Sequence, residues 1–375
     1  MTKMFSFIKR EPVLVISCVL AVVSTFFVTP DAEYIGYIDF RTLSILFCLM
    51  TVVAGMRGTG AFDILAQKML TKVGSVRQLA LIPVLMCFFF SMVITNDVAL
   101  ITLVPFTFTV LDMAGGEYEK RLVIPLTAME TIAANLGSML TPLGNPQNLY
   151  LFGKSDMSIG SFVLLMLPYS LLSLIMLVVW IIVLTLRRND RINIRFESAP
   201  VIRSKKLTVV YLILLVVCLL CVMRVLHYLI TLVAVLAAVV ISDRKNLLRV
   251  DYSLLLTFAG FFVFIGNMGR IEWFREFLQS IISDREVVTA VLSSQMISNV
   301  PAALLLSGFT ENITSLIIGT NLGGLGTLIA SMASLISFKQ LSVKCSENKG
   351  KYILCFSMSN IIFLIILMGL WLAIG

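Results

Sequence analysis

Residues 135–141 read NLGSMLT and residues 321–327 read NLGGLGT, so a short glycine-containing motif occurs twice in this chain of 375 residues. Each copy follows a second polar motif, which reads SMVITND at residues 91–97 and SQMISNV at residues 294–300. All four motifs interrupt apolar segments. Backbone groups freed by such interruptions are tolerated at membrane depth only where they line a cavity enclosed by protein. The motifs therefore predict two related halves that surround one polar site.

The composition of the chain predicts that most of its surface faces lipid. Hydrophobic residues make up 59% of the sequence and charged residues 13%, and the mean hydropathy is +0.99. A soluble protein of this size could not keep that much apolar surface away from water. Nine segments approach the length of about 20 apolar residues that a membrane span requires. They are residues 12–28, 40–56, 121–153, 159–186, 207–223, 225–242, 251–268, 312–338 and 352–374. We predict an all-α polytopic membrane protein.

Basic residues lie in short loops between the apolar segments, which explains the net charge of +8. The clearest examples are Lys3, Lys9 and Arg10 near the N-terminus and the loop at residues 187–206. Loops rich in Lys and Arg remain on the cytoplasmic side of a membrane. We therefore predict a multi-pass protein of the cell membrane with a cytoplasmic N-terminus, a C-terminus outside, and no nucleic-acid partner.

No arrangement of residues predicts catalysis or a bound cofactor. His227 is the only histidine, so the sequence offers neither a histidine metal cluster nor a Ser-His-Asp triad. Cys218 and Cys221 form a C-x-x-C, but they lie within an apolar segment and are typical of helix packing. We predict a protein that is not an enzyme, whose partners are the lipid bilayer and a small anion or ion.

Two further apolar segments, 76–111 and 286–310, carry polar residues in their middles and are predicted to be re-entrant hairpins. An amphipathic piece comes before each hairpin. It runs from Phe62 to Val73 in one half and from Ile271 to Ile282 in the other, and both suit short helices on the membrane surface.

Both halves show the same predicted order of membrane helix, surface helix, hairpin, broken helix and membrane helix. The loop charges alternate only if each hairpin enters and leaves from the same side of the membrane. By this charge count, the first hairpin opens to the inside and the second to the outside. This is an inverted-topology repeat, an arrangement typical of secondary transporters. The predicted parts are an N-terminal helix at 1–39, a first repeat at 40–186 with a broken helix at 121–153, a basic cytoplasmic loop at 187–206, two linking scaffold helices at 207–250, and a second repeat at 251–375 with a broken helix at 312–338.

The hairpin tips and helix breaks supply the candidate binding residues. Hydroxyl oxygens, amide oxygens and freed carbonyls are hard ligands that suit a sodium ion, and helix N-termini attract anions. The candidate substrate-binding residues are Asn96, Asp97, Thr141, Pro142, Asn145, Ser298, Asn299, Val300, Pro301 and Thr327. The candidate ion-coupling residues are Thr95, Asn96, Asp97, Glu130, Gly137, Ser138, Asn145, Ser298, Asn299, Asn321 and Gly323. We expect sodium, if it is the coupling ion, at Asn96 and Asn299.

Asp97 and Glu130 are the acidic residues predicted to lie at membrane depth. A carboxylate is costly to bury there and is a functional candidate by default. It can carry a proton or pair with a cation. Either residue is therefore a candidate for coupling transport to an ion.

The order of these motifs resembles the ion transporter superfamily. This group includes the divalent anion/sodium symporters, citrate transporters, arsenite efflux permeases and a group of sodium/proton antiporters. The resemblance runs from about Phe40 to the end of the chain. It implies a homodimer in which a transport domain moves against a scaffold domain, as in an elevator.

In the divalent anion symporters, each hairpin tip carries a Ser-Asn-Thr triplet that contacts substrate and sodium. Carried over by the resemblance, the first positions are Thr95 and Ser298, the second are Asn96 and Asn299, and the third are Asp97 and Val300. The third positions depart from the pattern. Valine has no hydroxyl for a carboxylate ligand, and an ionised aspartate would repel an anion by roughly a few kcal/mol at contact in a partly buried site. An Asn-Asp pair looks more like the arsenite permeases and sodium/proton antiporters.

The leading hypothesis is a secondary carrier for a small anion, such as a di- or tricarboxylate, driven by sodium or protons. Two alternatives use Asp97 differently: sodium/proton exchange, and efflux of a neutral oxyacid such as arsenite. A passive channel or a non-transporting scaffold is a fourth hypothesis. It is disfavoured because an inverted repeat with hairpins does not favour a continuous open pore.

Overall fold

A computed structural model describes residues 11–70, 73–186, 190–192 and 202–374. Within these ranges all the named elements are helices, and the one pairing of extended backbone is a bridge between Ser75 and Arg191. Outside the described ranges lie Lys3, Lys9, Arg10, Arg187, Arg188 and Arg195 of the predicted basic loops, and Lys72 of the first amphipathic piece.

The first half of the chain contains nine described α-helices. They are α1 Pro12–Ser24, α2 Glu33–Tyr37, α3 Phe40–Gly58, α4 Ala61–Leu70, α5 Val76–Ile94, α6 Asn96–Ala114, α7 Gly116–Ser138, α8 Pro146–Lys154 and α9 Ile159–Thr185. Two apolar helices link the halves: α10 Lys205–Val222 and α11 Tyr228–Ser242. The second half contains α12 Tyr252–Gly269, α13 Glu272–Ile282, α14 Glu286–Ile297, α15 Asn299–Leu306, α16 Ile313–Leu322, α17 Met332–Lys344 and α18 Lys349–Ile374.

Seven helices in the described ranges are long and apolar enough to cross a membrane: α3, α5, α6, α9, α10, α12 and the C-terminal helix that ends at Ile374. Helices α1 and α11, at two of the predicted spans, have only 13 and 15 residues. The segments predicted as broken helices are each divided into two shorter helices. Helices α5 and α6 are long enough to span although they were predicted as hairpin arms, because 19 residues extend about 28 Å.

The seven helices from α3 to α9 and the seven from α12 to α18 each start with a long helix and a short one and end with a helix of 26 or 27 residues. Even the first residues correspond. The Asp39 carboxylate accepts a hydrogen bond from the Thr42 N–H at 2.9 Å, and the Asp251 carboxylate accepts one from the Leu254 N–H at 3.1 Å. Each aspartate thus caps the first long helix of its half. The second hairpin is the shorter one, with arms of 12 and 8 residues.

The two halves interlock through their hairpins. Helix α8 of the first half packs against α15 of the second, and α17 of the second half packs against α6 of the first. A lysine side chain donates a hydrogen bond across each of these two contacts. Lys154 at the end of α8 donates to the Ser307 carbonyl at 2.7 Å, and Lys344 at the end of α17 donates to the Asp112 carboxylate at 2.6 Å. Each broken helix is therefore held to the hairpin of the other half.

Two corresponding glycines pack the long helices α3 and α12 against aromatic rings. A Cβ atom on Gly55 would overlap the ring of Tyr211 in α10, and a Cβ atom on Gly266 would overlap the ring of Tyr37 in α2. The flat face of a tyrosine approaches the helix backbone only because these positions lack a side chain.

We expect Gly55→Ala to destabilise the protein by about 1–3 kcal/mol, because the buried Tyr211 ring must move to admit the added methyl group. The measurement is thermal unfolding of the detergent-solubilised protein. Gly369→Ala in α18 is the matched control, since nothing lies within 4 Å of a Cβ atom there. Equal melting temperatures for the two variants would contradict the packing argument.

Candidate substrate and ion site

The two hairpin tips have the same backbone conformation. A single residue joins the arms of each hairpin: Thr95 between α5 and α6, and Ser298 between α14 and α15. Thr95 has φ 72° and ψ 150°, and Ser298 has φ 75° and ψ 154°. This region is nearly restricted to glycine, and occupying it with another residue costs about 1–3 kcal/mol. The surrounding structure must therefore hold both tips in place.

Each tip is held by the helix break of its own half. The Asn96 N–H donates to the Gly144 carbonyl at 3.1 Å, and the Asn299 N–H donates to the Ala330 carbonyl at 3.0 Å. Gly144 lies in the break between α7 and α8, and Ala330 lies in the break between α16 and α17. The freed carbonyls of the breaks thus satisfy N–H groups at the helix starts.

The motif glycines allow the first arm of each hairpin to lie against the break. A Cβ atom on Gly137 would overlap the Phe88 carbonyl, and one on Gly323 would lie 2.5 Å from the Ser294 hydroxyl. This close approach explains why each NLG motif is paired with an upstream polar motif in the sequence.

Asn135 connects the first hairpin tip with the second helix break. Its side-chain oxygen accepts hydrogen bonds from the Asn96 amide at 3.1 Å and from the Ser331 hydroxyl at 3.1 Å. Its amide donates to the Gly324 carbonyl at 3.4 Å. An amide side chain suits this position because it donates and accepts at once.

Asn321 occupies the matching position in the second NLG motif and connects to the first helix break. Its side-chain oxygen accepts from the Asn145 amide at 3.2 Å, and its own amide donates to the Asn148 side-chain oxygen at 2.6 Å. The Asn145 amide also reaches the Ser138 hydroxyl at 3.2 Å. The two breaks are therefore joined by one buried amide network.

A small pocket lies between the two tips and the starts of three further helices. It is lined by Asn96, Asp97, Pro146, Gln147, Asp251, Leu254, Asn299, Val300, Ser331 and Met332. These residues belong to the first turns of α6, α8, α12, α15 and α17 or cap them. The N-cap residues of α6, α15 and α17 make no side-chain hydrogen bond to their helix. Five helix N-termini thus direct partial positive charge at one pocket, which suits an anion.

Two carboxylates also face this pocket. Asp97 lies on the first turn of α6, and its N–H donates to the Asn96 side-chain oxygen at 2.9 Å. Asp251 caps α12, and the two carboxylates interact electrostatically. A proton, a cation or a hydroxyl-rich ligand would relieve their repulsion. The pocket therefore combines an anion-attracting frame with two acid groups.

The predicted site residues fall into three groups in the structure. Asn96, Asp97, Asn299 and Val300 line the pocket. Thr95, Gly137, Ser138, Asn145, Ser298, Asn321 and Gly323 shape the tips or the amide network behind it. Pro142, Pro301, Thr141, Thr327 and Glu130 do not line it. The Thr141 hydroxyl donates to the Met92 carbonyl, and the Thr327 hydroxyl donates to the Gln295 carbonyl at 3.4 Å. The expected sodium ion at Asn96 and Asn299 stays a prediction.

Seven residues of the site were not predicted from the sequence: Asn135, Pro146, Gln147, Asp251, Leu254, Ser331 and Met332. Asp251 and Ser331 stand directly before apolar helices, which is a readable N-cap pattern. Nothing in that pattern shows that the caps of α12 and α17 meet the hairpin tips. In the described part of the chain, no group of three or more His, Cys, Asp and Glu residues could hold a metal ion.

We expect Asn135→Ala to lower the free energy of unfolding by about 1–3 kcal/mol, because it leaves the buried donors of Asn96 and Ser331 unpaired. Thermal unfolding in detergent measures the change. The control is Asn360→Ala, since the buried Asn360 amide donates to Phe356 of its own helix. A loss for Asn135→Ala no larger than the loss for Asn360→Ala would refute the connecting role.

Comparisons with known proteins agree with these features. The family model for citrate transporters matches residues 4–315. An uncharacterized transporter of Methanocaldococcus jannaschii is 31% identical over 341 residues, which is 90% of either chain. The inner membrane protein YbiR of Escherichia coli is 30% identical over 312 residues, or 80% of either chain. A silicon efflux transporter of Oryza sativa is 32% identical over 142 residues, which cover 38% of this chain and 28% of that protein. The chain is a multi-pass membrane protein that belongs to the citrate transporter family.

Proposed function

We propose that this protein is a secondary active transporter of a small anion, a di- or tricarboxylate, coupled to sodium or protons. The observation that carries the proposal is the convergence of five helix N-termini on one pocket. A carboxylate ligand can take hydrogen bonds and electrostatic stabilisation from such helix starts without a formal positive charge nearby. Membership of the citrate transporter family supports the same substrate class.

The proposed fold is an inverted-topology repeat with two re-entrant hairpins and two broken helices, and the proposed mechanism is of the elevator type. The matching order of helices and the matching backbone angles at Thr95 and Ser298 support the repeat. The contacts of Lys154 and Lys344 between halves support a transport domain that moves as one body. A homodimer, a cytoplasmic N-terminus and the repeat boundaries at 40–186 and 251–375 are parts of this proposal.

The charge of Asp97 explains why the proposed transporter would couple binding of its substrate to binding of a cation. An ionised Asp97 repels an anion in the pocket, and Asp251 adds to this repulsion. Binding of sodium or of a proton removes the repulsion, so the anion binds more tightly to the cation-loaded pocket. By linkage the anion increases the affinity for the cation by the same factor.

The function is tested by uptake of labelled citrate and succinate into liposomes that contain the purified protein, with sodium and pH gradients varied separately. We expect accumulation that depends on one of the gradients. Asn299→Ala, which removes an amide from the pocket, should lower uptake about tenfold, equivalent to about 1.4 kcal/mol.

In the same assay, Asp97→Asn should allow citrate to exchange across the membrane but remove its dependence on the cation gradient. Asp156→Asn is the control, because Asp156 is exposed and lies outside the pocket. Absence of uptake of any tested anion by the native protein, under either gradient, would overturn the proposal. A sodium-driven pH change without anion would instead favour sodium/proton exchange.

A second candidate function is efflux of a neutral oxyacid. Two observations favour it: the carboxylates of Asp97 and Asp251 offer acceptors to a ligand rich in hydroxyl groups, and one relative is a silicon efflux transporter. Expression in a sensitive bacterial host should then raise tolerance to arsenite, and Asp97→Asn should abolish the effect. Unchanged tolerance together with citrate uptake would exclude this alternative.

A further inference from the structure

Glu130 is a fully buried carboxyl group that the pocket does not use. It lies in the middle of α7, and its side chain is 0% exposed. Helices α5, α6 and α18 pack around α7. The titratable groups that interact electrostatically with Glu130 are the Cys87 thiol of α5 and the Tyr352 hydroxyl of α18. Neither of these groups is a cation, and none of the ion pairs among the described residues includes Glu130.

The hydrogen bonds of Glu130 fit a neutral acid better than a carboxylate. Oε1 accepts a hydrogen bond from the Thr107 hydroxyl. Oε2 is buried and has no hydrogen-bond partner among the described residues. An ionised carboxylate with one donor and no cation is very costly in a protein interior at membrane depth. The group therefore needs a proton or a bound cation.

A proton fits this position better than a metal ion. A hard cation such as sodium needs several oxygen ligands, whereas the one hydrogen-bond partner of Glu130 among the described residues is the Thr107 hydroxyl, and the Cys87 thiol and the Tyr352 hydroxyl interact with it electrostatically. A proton needs no additional space. The Thr107 hydroxyl can donate to the carboxylate or accept from the acid, so it can partner both states.

The second half of the chain shows that the fold does not require a carboxyl group here. Glu130 stands five residues before Asn135, the first residue of the first NLG motif. The residue five positions before Asn321 in the second motif is Leu316, which is also fully buried. Packing alone is thus satisfied by a leucine at the matching place.

Glu130 is connected to the pocket through helices α6 and α7. It shares α7 with Asn135, whose side chain bonds to Asn96 at the hairpin tip. Its partner Thr107 shares α6 with Asn96, the first residue of that helix. A charge that appears on Glu130 would act on the contact between α6 and α7, and α6 begins at the tip whereas α7 ends at the break that holds the tip. Protonation and the arrangement of the tip can therefore bias each other.

We propose that Glu130 binds a coupling proton of the transport cycle at a site separate from the pocket, in addition to the cation that Asp97 binds, so that uptake driven by the gradient requires both groups. Oε2 takes up one proton to give the neutral acid and releases the same proton to regenerate the carboxylate. This inference rests on the proposed function, because it names the ion that drives uptake of the anion.

Infrared difference spectroscopy of the full-length protein in lipid, between acidic and alkaline pH, tests the proton site without any substrate. We expect Glu130→Gln to remove one component of the carbonyl band of protonated carboxylic acids. Glu286→Gln is the matched control, because Glu286 also accepts from a threonine, Thr310, but lies at the start of α14. Thr107→Val keeps the carboxyl group and should shift the pH midpoint of the missing component. Identical spectra for the native protein and Glu130→Gln would overturn the proposal.

Transport measurements on the same samples test coupling. Glu130→Gln should lose citrate accumulation driven by a pH gradient and retain exchange of labelled citrate between the two sides. Glu130→Leu, which copies Leu316 of the second half, should behave in the same way. Unchanged accumulation in these variants would refute coupling through Glu130. If the native protein moves no citrate, the proposed substrate fails, and the infrared result still decides whether Glu130 binds a proton.

Discussion

The backbone groups freed where a helix is interrupted in the membrane have no water to bind, and the need to supply partners for them organises the interior of this protein. The N–H groups of Asn96 and Asn299 donate hydrogen bonds to the carbonyls of Gly144 and Ala330, respectively. A hairpin tip therefore cannot exist without the break that faces it. The positive φ angles of Thr95 and Ser298 follow from this requirement, because the tip must turn within a single residue to present its N–H groups to the break.

The same requirement explains why asparagine is so common at the centre of the molecule. An asparagine side chain both donates and accepts, so it can join two interrupted segments that each have unpaired groups. Asn135 does this for the first tip and the second break, and Asn321 does it for the two breaks. Each of these networks crosses from one half of the chain to the other. As a result, these bonds connect the starts of α6, α8, α15 and α17, four of the five helix starts at the pocket, to one another.

The positions of the helix interruptions could be predicted from the sequence, because a cluster of Gly, Pro and Asn inside an apolar segment disfavours a continuous helix. Helix α7 ends at Ser138 and α8 begins at Pro146, inside the predicted break. Which residues meet at the pocket could not be predicted from the sequence, since they come from distant parts of the chain. Asp39 and Asp251 have the same capping pattern and the same backbone angles, yet only Asp251 lines the pocket. Only the tertiary arrangement distinguishes them.

The two halves differ in charge at positions that correspond in their motifs. Asp97 and Glu130 in the first half stand where the second half has Val300 and Leu316. The freed backbone groups need hydrogen-bond partners in both halves, so both halves keep the tips, the breaks and the asparagines. The same requirement does not determine the side chains at positions 97, 130, 300 and 316. An acid group can therefore stand at these two positions in one half without a counterpart in the other. In the proposed transporter this difference has a consequence: the first half contributes Asp97 and Glu130, and the second half contributes the Asp251 carboxylate, an amide, an apolar wall and helix starts to the anion site.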